Sequence, residues 1–169
     1  MTSAFDPQTF IDAQQSEVNE KRPNLPTENP DDSNGFYTAV VGEIKPAVGL
    51  IGKGERIGQP WMQMIVPLRI QVPTSLQAIG IPAELTLTER PMIDLTPGSV
   101  LVGGQIQGSV DNSKGKNNAQ RIYREATGLN KPGEAFSWRM MQGKVVKVKV
   151  KHEDYQGNIV EKIAGVFPS

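Results

Sequence analysis

The chain has 169 residues, long enough for one domain with a real hydrophobic core and a tail, and too short for a second full domain. It contains no cysteine and one histidine, His152, which excludes disulfides, thiolate metal sites and a histidine-based zinc cluster. Its eighteen basic and eighteen acidic side chains cancel, but unevenly: residues 1–35 carry seven acids and two bases, residues 111–151 ten bases and three acids. That asymmetry predicts an electrostatic footprint in the later half, beside the plainer reading of a basic stretch kept for solubility.

No basic region followed by an apolar run opens the chain, and no run of about 18 apolar residues occurs, so the expectation is a soluble intracellular protein without a membrane span. The first element is a short helix, with Asp6 as N-cap, Pro7 in the first helical position, and Phe10, Ile11 and Val18 as a thin apolar face. "KRPNLPTENPDDSNG" (21–35) has three prolines and three asparagines and almost nothing to bury, which predicts an extended linker. The expected division is an acidic arm over 1–35 and a domain over 36–169.

"FYTAVVGEIKP" alternates as a strand over 36–45, and "AVGLIGKGERIGQP" reads as a long glycine-containing loop. "WMQMIVPLRIQV" (61–72) is a second strand, in which Pro67 predicts an edge position or a bulge. "ELTLTERPMIDLT" reads as a third strand or a bent pair, and residues 100–106 as one short strand. In "NNAQRIYREATGL", Ala119, Ile122, Tyr123 and Ala126 form a helical stripe, Asn117 or Asn118 stands at its start and Gly128 at its end; Arg121 and Arg124 fall off the stripe. "FSWRMMQGKVVKVKVKH" and "NIVEKIAGVF" read as closing strands around a turn at Gly157 and Asn158. Three strands, a helix and two strands is the order of an OB-fold, a mainly β, five-stranded, partly open Greek-key barrel with its helix between strands three and four. A plain antiparallel sandwich with one helix is the competing architecture.

Alternation puts Val146, Val148 and Val150 in the core and Lys147, Lys149 and Lys151 outside, facing either water or phosphate. Lys116, Arg121, Arg124, Arg139 and Lys144 add to this basic set, and Lys53 and Arg56 occupy the glycine-rich loop. A surface that neutralises several phosphates binds nucleic acid without regard to sequence. Single strands also need aromatic platforms; Phe36, Tyr37, Trp61, Trp138 and Tyr155 are the candidates, with core packing the commoner reading for each except Tyr155, which stands in a turn. Gly52-Lys53-Gly54 lacks the spacing and the Ser or Thr of a phosphate-binding loop. No nucleophile elbow is present, His152 sits beside Glu153 and Asp154, and only Glu84, Glu89 and Asp94 are left as dispersed acids, so the chain is not expected to be an enzyme and calls for no cofactor or metal.

The segments "FDPQTFIDA", "GFYTAVVGEI", "KGKNNAQRIYREATGLNKPGEAFS" and "MQGKVVKVKVKHEDYQGN" together resemble small proteins encoded in the replication modules of tailed phages, sometimes called phage single-stranded DNA-binding proteins. The resemblance covers both ends and the helix and is weak between Ala47 and Gln107. It implies a replication or recombination role in the cytoplasm of an infected bacterium, and Arg121 and Arg124 lie in its best-matching segment. The expected partner is single-stranded DNA, with phosphates on the cations and bases on the aromatics. The acidic arm would cover the basic groove or engage phage replication or recombination proteins, and a homo-oligomer is compatible with the sequence. The alternative is a virion structural protein, such as a capsid decoration subunit, whose proline-containing arm straps onto neighbours. A carbohydrate-binding barrel lacks the aromatic and carboxylate lining such ligands require.

Overall fold

The structure, a computed structural model, describes residues 4–169. It is mainly β: α1 (Pro7–Phe10), β1 (Tyr37–Val41), β2 (Lys45–Leu50), β3 (Pro60–Gln71), α2 (Thr74–Gln77), β4 (Glu84–Glu89), β5 (Met92–Ile93), β6 (Val100–Val102), β7 (Gln105–Gln107), α3 (Asn118–Ala126), β8 (Val145–Tyr155) and β9 (Asn158–Pro168). All the strand pairings are antiparallel. One helix was expected in the domain; α3 lies between β7 and β8, and α2 is a single extra turn between β3 and β4.

The long strand β3 organises the sheet. One of its edges pairs with β1 and β2, the other with β4 and β5, and β1 passes the sheet on to β8 and β9. Along it Met64, Val66, Leu68 and Ile70 alternate inward, meeting Tyr37, Ala39 and Val41 of β1 and Val146, Val148 and Val150 of β8 in one core. Pro67 is therefore not on an edge strand. It lies at a bulge, the other position expected for it: residues 42–44, where β1 gives way to β2, stand opposite 66–67, and Gly42 N–H donates to the Pro67 carbonyl at 2.8 Å. The sheet ends, β4 and β9, approach without a hydrogen-bonded ladder between them. Helix α3 packs on β9 and β5, and its buried Tyr123 donates a hydrogen bond to Glu89 at the end of β4.

Ile163 and Val166 of β9 are three residues apart, yet both face the core. That is allowed only by the bulge opposite Lys149 and Val150, where Ala164 is the extra residue. Residues 47–50, expected as loop, are strand β2, held by pairing with β3 across Ala47↔Gln63 to Leu50↔Pro60. Residues 100–107 form a two-stranded hairpin, β6–β7, instead of one strand. Residues 138–141 are a 3₁₀ turn, so β8 starts only at Val145. The β8–β9 turn uses Gln156 and Gly157, both at positive φ, and Asn158 already belongs to β9.

The segment 21–35 is not a detached linker. Leu25 is wholly buried, and the Tyr37 hydroxyl donates to the Pro26 carbonyl at 2.8 Å. Arg22 makes a two-pronged pair with Glu161, whose Oε2 also accepts the Leu25 N–H. A single leucine among prolines and asparagines has no periodicity to announce it, yet it joins the core. Residues 5–20 are exposed, and α1 is capped as expected by Asp6, which accepts from Gln8 N–H at 3.0 Å.

Candidate functional site

Two adjoining cavities, about 680 Å³ and about 630 Å³, share Lys116 in their walls. The first is basic: Lys114, Lys116, Arg121 and Arg124 face a single carboxylate, Glu134, with Phe136 and Trp138 as the aromatic wall. In the second, Arg56 and Lys116 are balanced by Asp94 and Asp111, and the apolar wall includes Trp61, Met92 and Val100. They meet at Lys116 as one groove that contains both indoles, with its positive charge concentrated on the Trp138 side.

Local folding places these groups. Trp61 sits on the β3 face away from the core and pairs with Gly49 of β2. Its indole occupies the space a side chain at 49 would need: a Cβ there would lie 2.5 Å from the ring. Lys114 and Lys116 are carried by a turn in which Asp111 accepts from the Ser113 N–H and hydroxyl. These two bonds, with Lys116 nearby, pull the Asp111 carboxyl below the usual carboxylate range against a weaker opposing effect of burial. Asn117 takes the N-cap position expected for it or Asn118, and its carbonyl accepts the Arg121 N–H at 3.0 Å, but its side chain makes no cap bond. It sits buried in the left-handed region at φ 54°, a conformation asparagine tolerates. There its N–H donates to Asp94, its side-chain oxygen accepts the Asp94 N–H, and its amide donates to the Asp111 carbonyl. It is a latch that fixes the lysine-bearing turn to the end of β5.

The cations of α3 are partly engaged already. Arg121 pairs with Glu125 at 3.0 Å, one turn along. The helix stops as expected at Gly128, whose N–H donates to Glu125 while Leu129 N–H donates to Arg124. The Arg124 guanidinium then donates twice to the Leu129 carbonyl and stands 4.4 Å from the Phe136 ring centre. Trp138 is half-buried: its ring N–H donates to Gln120 at 2.9 Å, and the ring packs on Tyr123 and Phe136. Among the described residues, Lys114 and Lys116 form no ion pair.

The groove thus gathers Arg56, Trp61, Lys116, Arg121, Arg124 and Trp138 from the expected set. Lys53 is exposed in the β2–β3 loop near it, and Arg139 and Lys144 are exposed in the 3₁₀ turn and just before β8. Lys147, Lys149 and Lys151 belong elsewhere, on the outer face of β8, where the exposed Tyr155 ends the same alternation. Lys151 pairs with Glu153 at 3.1 Å. Tyr37 is no stacking platform: it has no exposed surface, and burial, then the nearby Glu161 charge, push its hydroxyl up to about 12. Its place in the core follows from the alternation of β1, in which Tyr37, Ala39 and Val41 share the inner face.

Phe36 was among the aromatic candidates, but its pairing with Phe167 was not expected, because that contact joins the two ends of the domain and leaves no local pattern. The two rings meet edge-on at 5.1 Å on the outer face. Among the described residues no three His, Asp or Glu side chains converge to hold a metal ion, and no helix is long and apolar enough to cross a membrane. The chain matches no protein-family model, and no curated protein matches it significantly.

Proposed function

We propose that this protein binds single-stranded DNA without sequence preference, on an OB-like barrel, in phage replication or recombination. The observation that carries the reading is the groove that holds Trp61 and Trp138, with Lys114 and Lys116, which form no ion pair among the described residues, in its walls. Indole faces take unstacked bases, ammonium groups take the backbone, and neither reads sequence. The spatial order β8-β1-β3-β4 supports the architecture, since it repeats the 4-1-2-3 order of a Greek key with β1 and β2 as one bent first strand. On this alignment Arg56 lies in the loop between strands one and two and Trp61 on strand two, both ligand-binding positions of that fold.

The test is fluorescence anisotropy of labelled oligo(dT) and of duplex DNA at several salt concentrations. The expected result is preference for the single strand, with log affinity falling by about 0.7 per neutralised phosphate for each decade of salt. Absence of binding at low salt overturns the reading. One observation favours the virion alternative: residues 5–20 are exposed throughout, as a strap awaiting a neighbour would be. That alternative predicts ordering of this segment on assembly and indifference to oligo(dT).

A further inference from the structure

The outer face of β1, β8 and β9 is distinct from the groove and brings together four lysines and two phenylalanines, with one carboxylate, Glu153, beside Lys151. Cross-strand pairing sets Lys147 against Phe167, Lys149 against Gly165 and Lys151 against Lys162. Like charges directly opposite each other destabilise a sheet; Lys151 is already compensated by Glu153 at 3.1 Å, which leaves Lys162 as the uncompensated cation of this pair. Among the described residues Lys147, Lys149 and Lys162 form no ion pair.

Instead, the ammonium groups of Lys147 and Lys149 stand 6.0 and 5.1 Å from the centre of one ring, that of Phe36. The backbone of Phe36 is fixed in turn: its N–H donates to Asp32 and its carbonyl accepts from Asn29. Phe167 folds over Gly165, where a Cβ would come within 2.8 Å of its ring, and it stays 38% exposed. Two cations gathered on one ring beside a second, exposed ring match a nucleic-acid strand, which offers phosphates and flat bases in alternation.

We infer that this face is a second strand-binding surface, on which Phe36 positions Lys147 and Lys149 against phosphates and Phe167 stacks a base. The inference rests on the proposed function and extends the bound strand beyond the groove. It is tested on the full chain with 5-iodouracil-substituted oligo(dT), by photo-crosslink mapping and by lysine acetylation with and without the oligonucleotide. Lys147→Gln/Lys149→Gln is measured in parallel for its salt slope and thermal stability.

The expected outcome is a crosslink at Phe167, DNA-dependent protection of Lys147, Lys149 and Lys162, and a salt slope shallower by about 1.4 in the double variant at nearly unchanged Tm. Crosslinks confined to Trp61 and Trp138, with the slope unchanged, overturn the second surface and leave single-strand binding standing. Failure of the wild-type chain to bind overturns both. Equal protection of the three lysines without DNA means that another occupant holds the face, namely the acidic segment bearing Asp6, Asp12, Glu17 and Glu20, and this too overturns the inference.

Discussion

In the groove, Arg121 and Arg124 arrive already engaged, one by Glu125 and the other by the Leu129 carbonyl, whereas on the outer face Lys147 and Lys149 have, among the described residues, the Phe36 ring and no carboxylate. The difference follows from the elements that carry them. A helix supplies its own partners one turn away and at its carbonyl end, so a basic helix spends part of its charge on itself. A strand offers its cross-strand neighbours and the residues two along on the same face: Lys147 and Lys149 stand opposite Phe167 and Gly165, and Lys151 alone finds a carboxylate, Glu153. Cations counted in sequence therefore overstate the free charge of α3, and that of β8 only at Lys151.

The largest expected effect tests whether the outer face depends on the segment before it. Leu25 is wholly buried, and the same segment supplies Asp32 and Asn29 to Phe36. Leu25→Ala is expected to cost about 2–5 kcal/mol of stability, the usual range for a buried leucine, measured as a lower urea midpoint at constant m. A loss below about 1 kcal/mol would make 21–35 a detachable linker and leave the outer face to stand without it.

Next in size is an effect confined to the groove. Trp61→Ala is expected to weaken oligo(dT) binding by about 1–3 kcal/mol, with Trp61→Phe recovering part of the loss. Gly49→Ala should act in the same direction by a smaller amount, since its new methyl displaces the indole without touching DNA. Unchanged affinity in Trp61→Ala would remove the stacking role from the groove and shift the weight of binding to the outer face.

The local regularities were legible in the sequence. Alternation found the cores of β1, β3 and β8, and the apolar stripe with Gly128 found α3 and its end. Strand β2 was hidden because Pro46 and Gly49 read as loop residues; β3 makes it a strand, and Gly49 is there to seat Trp61. Trp138 was expected near strand four but lies in a 3₁₀ turn, since Gly143 breaks the run before the alternation begins. The groove's residue types were visible one by one, while its assembly depends on the Asn117 latch, which joins positions far apart in the chain. The Phe36–Phe167 pair is beyond any periodicity for the same reason.

Acid should separate the two regions. Burial of Glu161 opposes its charge, but the hydrogen bonds from Arg22 and the Leu25 N–H, with the charges of Arg22 and His152, outweigh it and hold the carboxyl below the ordinary glutamate range. Its contribution to stability is thus fully present above the unfolded value of about 4.3 and is lost as pH falls through the lower folded value. Glu89 has the opposite sign. Burial there exceeds the effects of the Tyr123 hydroxyl and of Lys151, the carboxyl is raised, and its contribution is lost as pH rises through the raised value. Below about pH 4, amide protection factors at Leu25 and Phe36 should fall before those of Leu68 and Ile70. Glu161→Gln should abolish the pH dependence of that early opening. Simultaneous loss of protection at all four amides would show that the segment and the sheet open as one unit.

The smallest effect concerns Arg121, whose pair with Glu125 is about half exposed on both sides, at 51% and 48%. Such pairs stabilise a helix by about 0.3–0.5 kcal/mol, so Glu125→Gln should barely move Tm. It frees the guanidinium and removes a carboxylate that repels an incoming phosphate. Oligo(dT) affinity should therefore rise by roughly twofold, the equivalent of that pair energy, and the salt slope should steepen by up to about 0.7. Arg121→Ala added to Glu125→Gln should cancel the gain, because the gain belongs to the released cation and not to the lost acid alone. If Glu125→Gln instead weakens binding, the carboxylate holds Arg121 in position much as the Phe36 ring holds Lys147 and Lys149. In that case helix and strand present their charges by the same device, and the contrast between the two regions disappears.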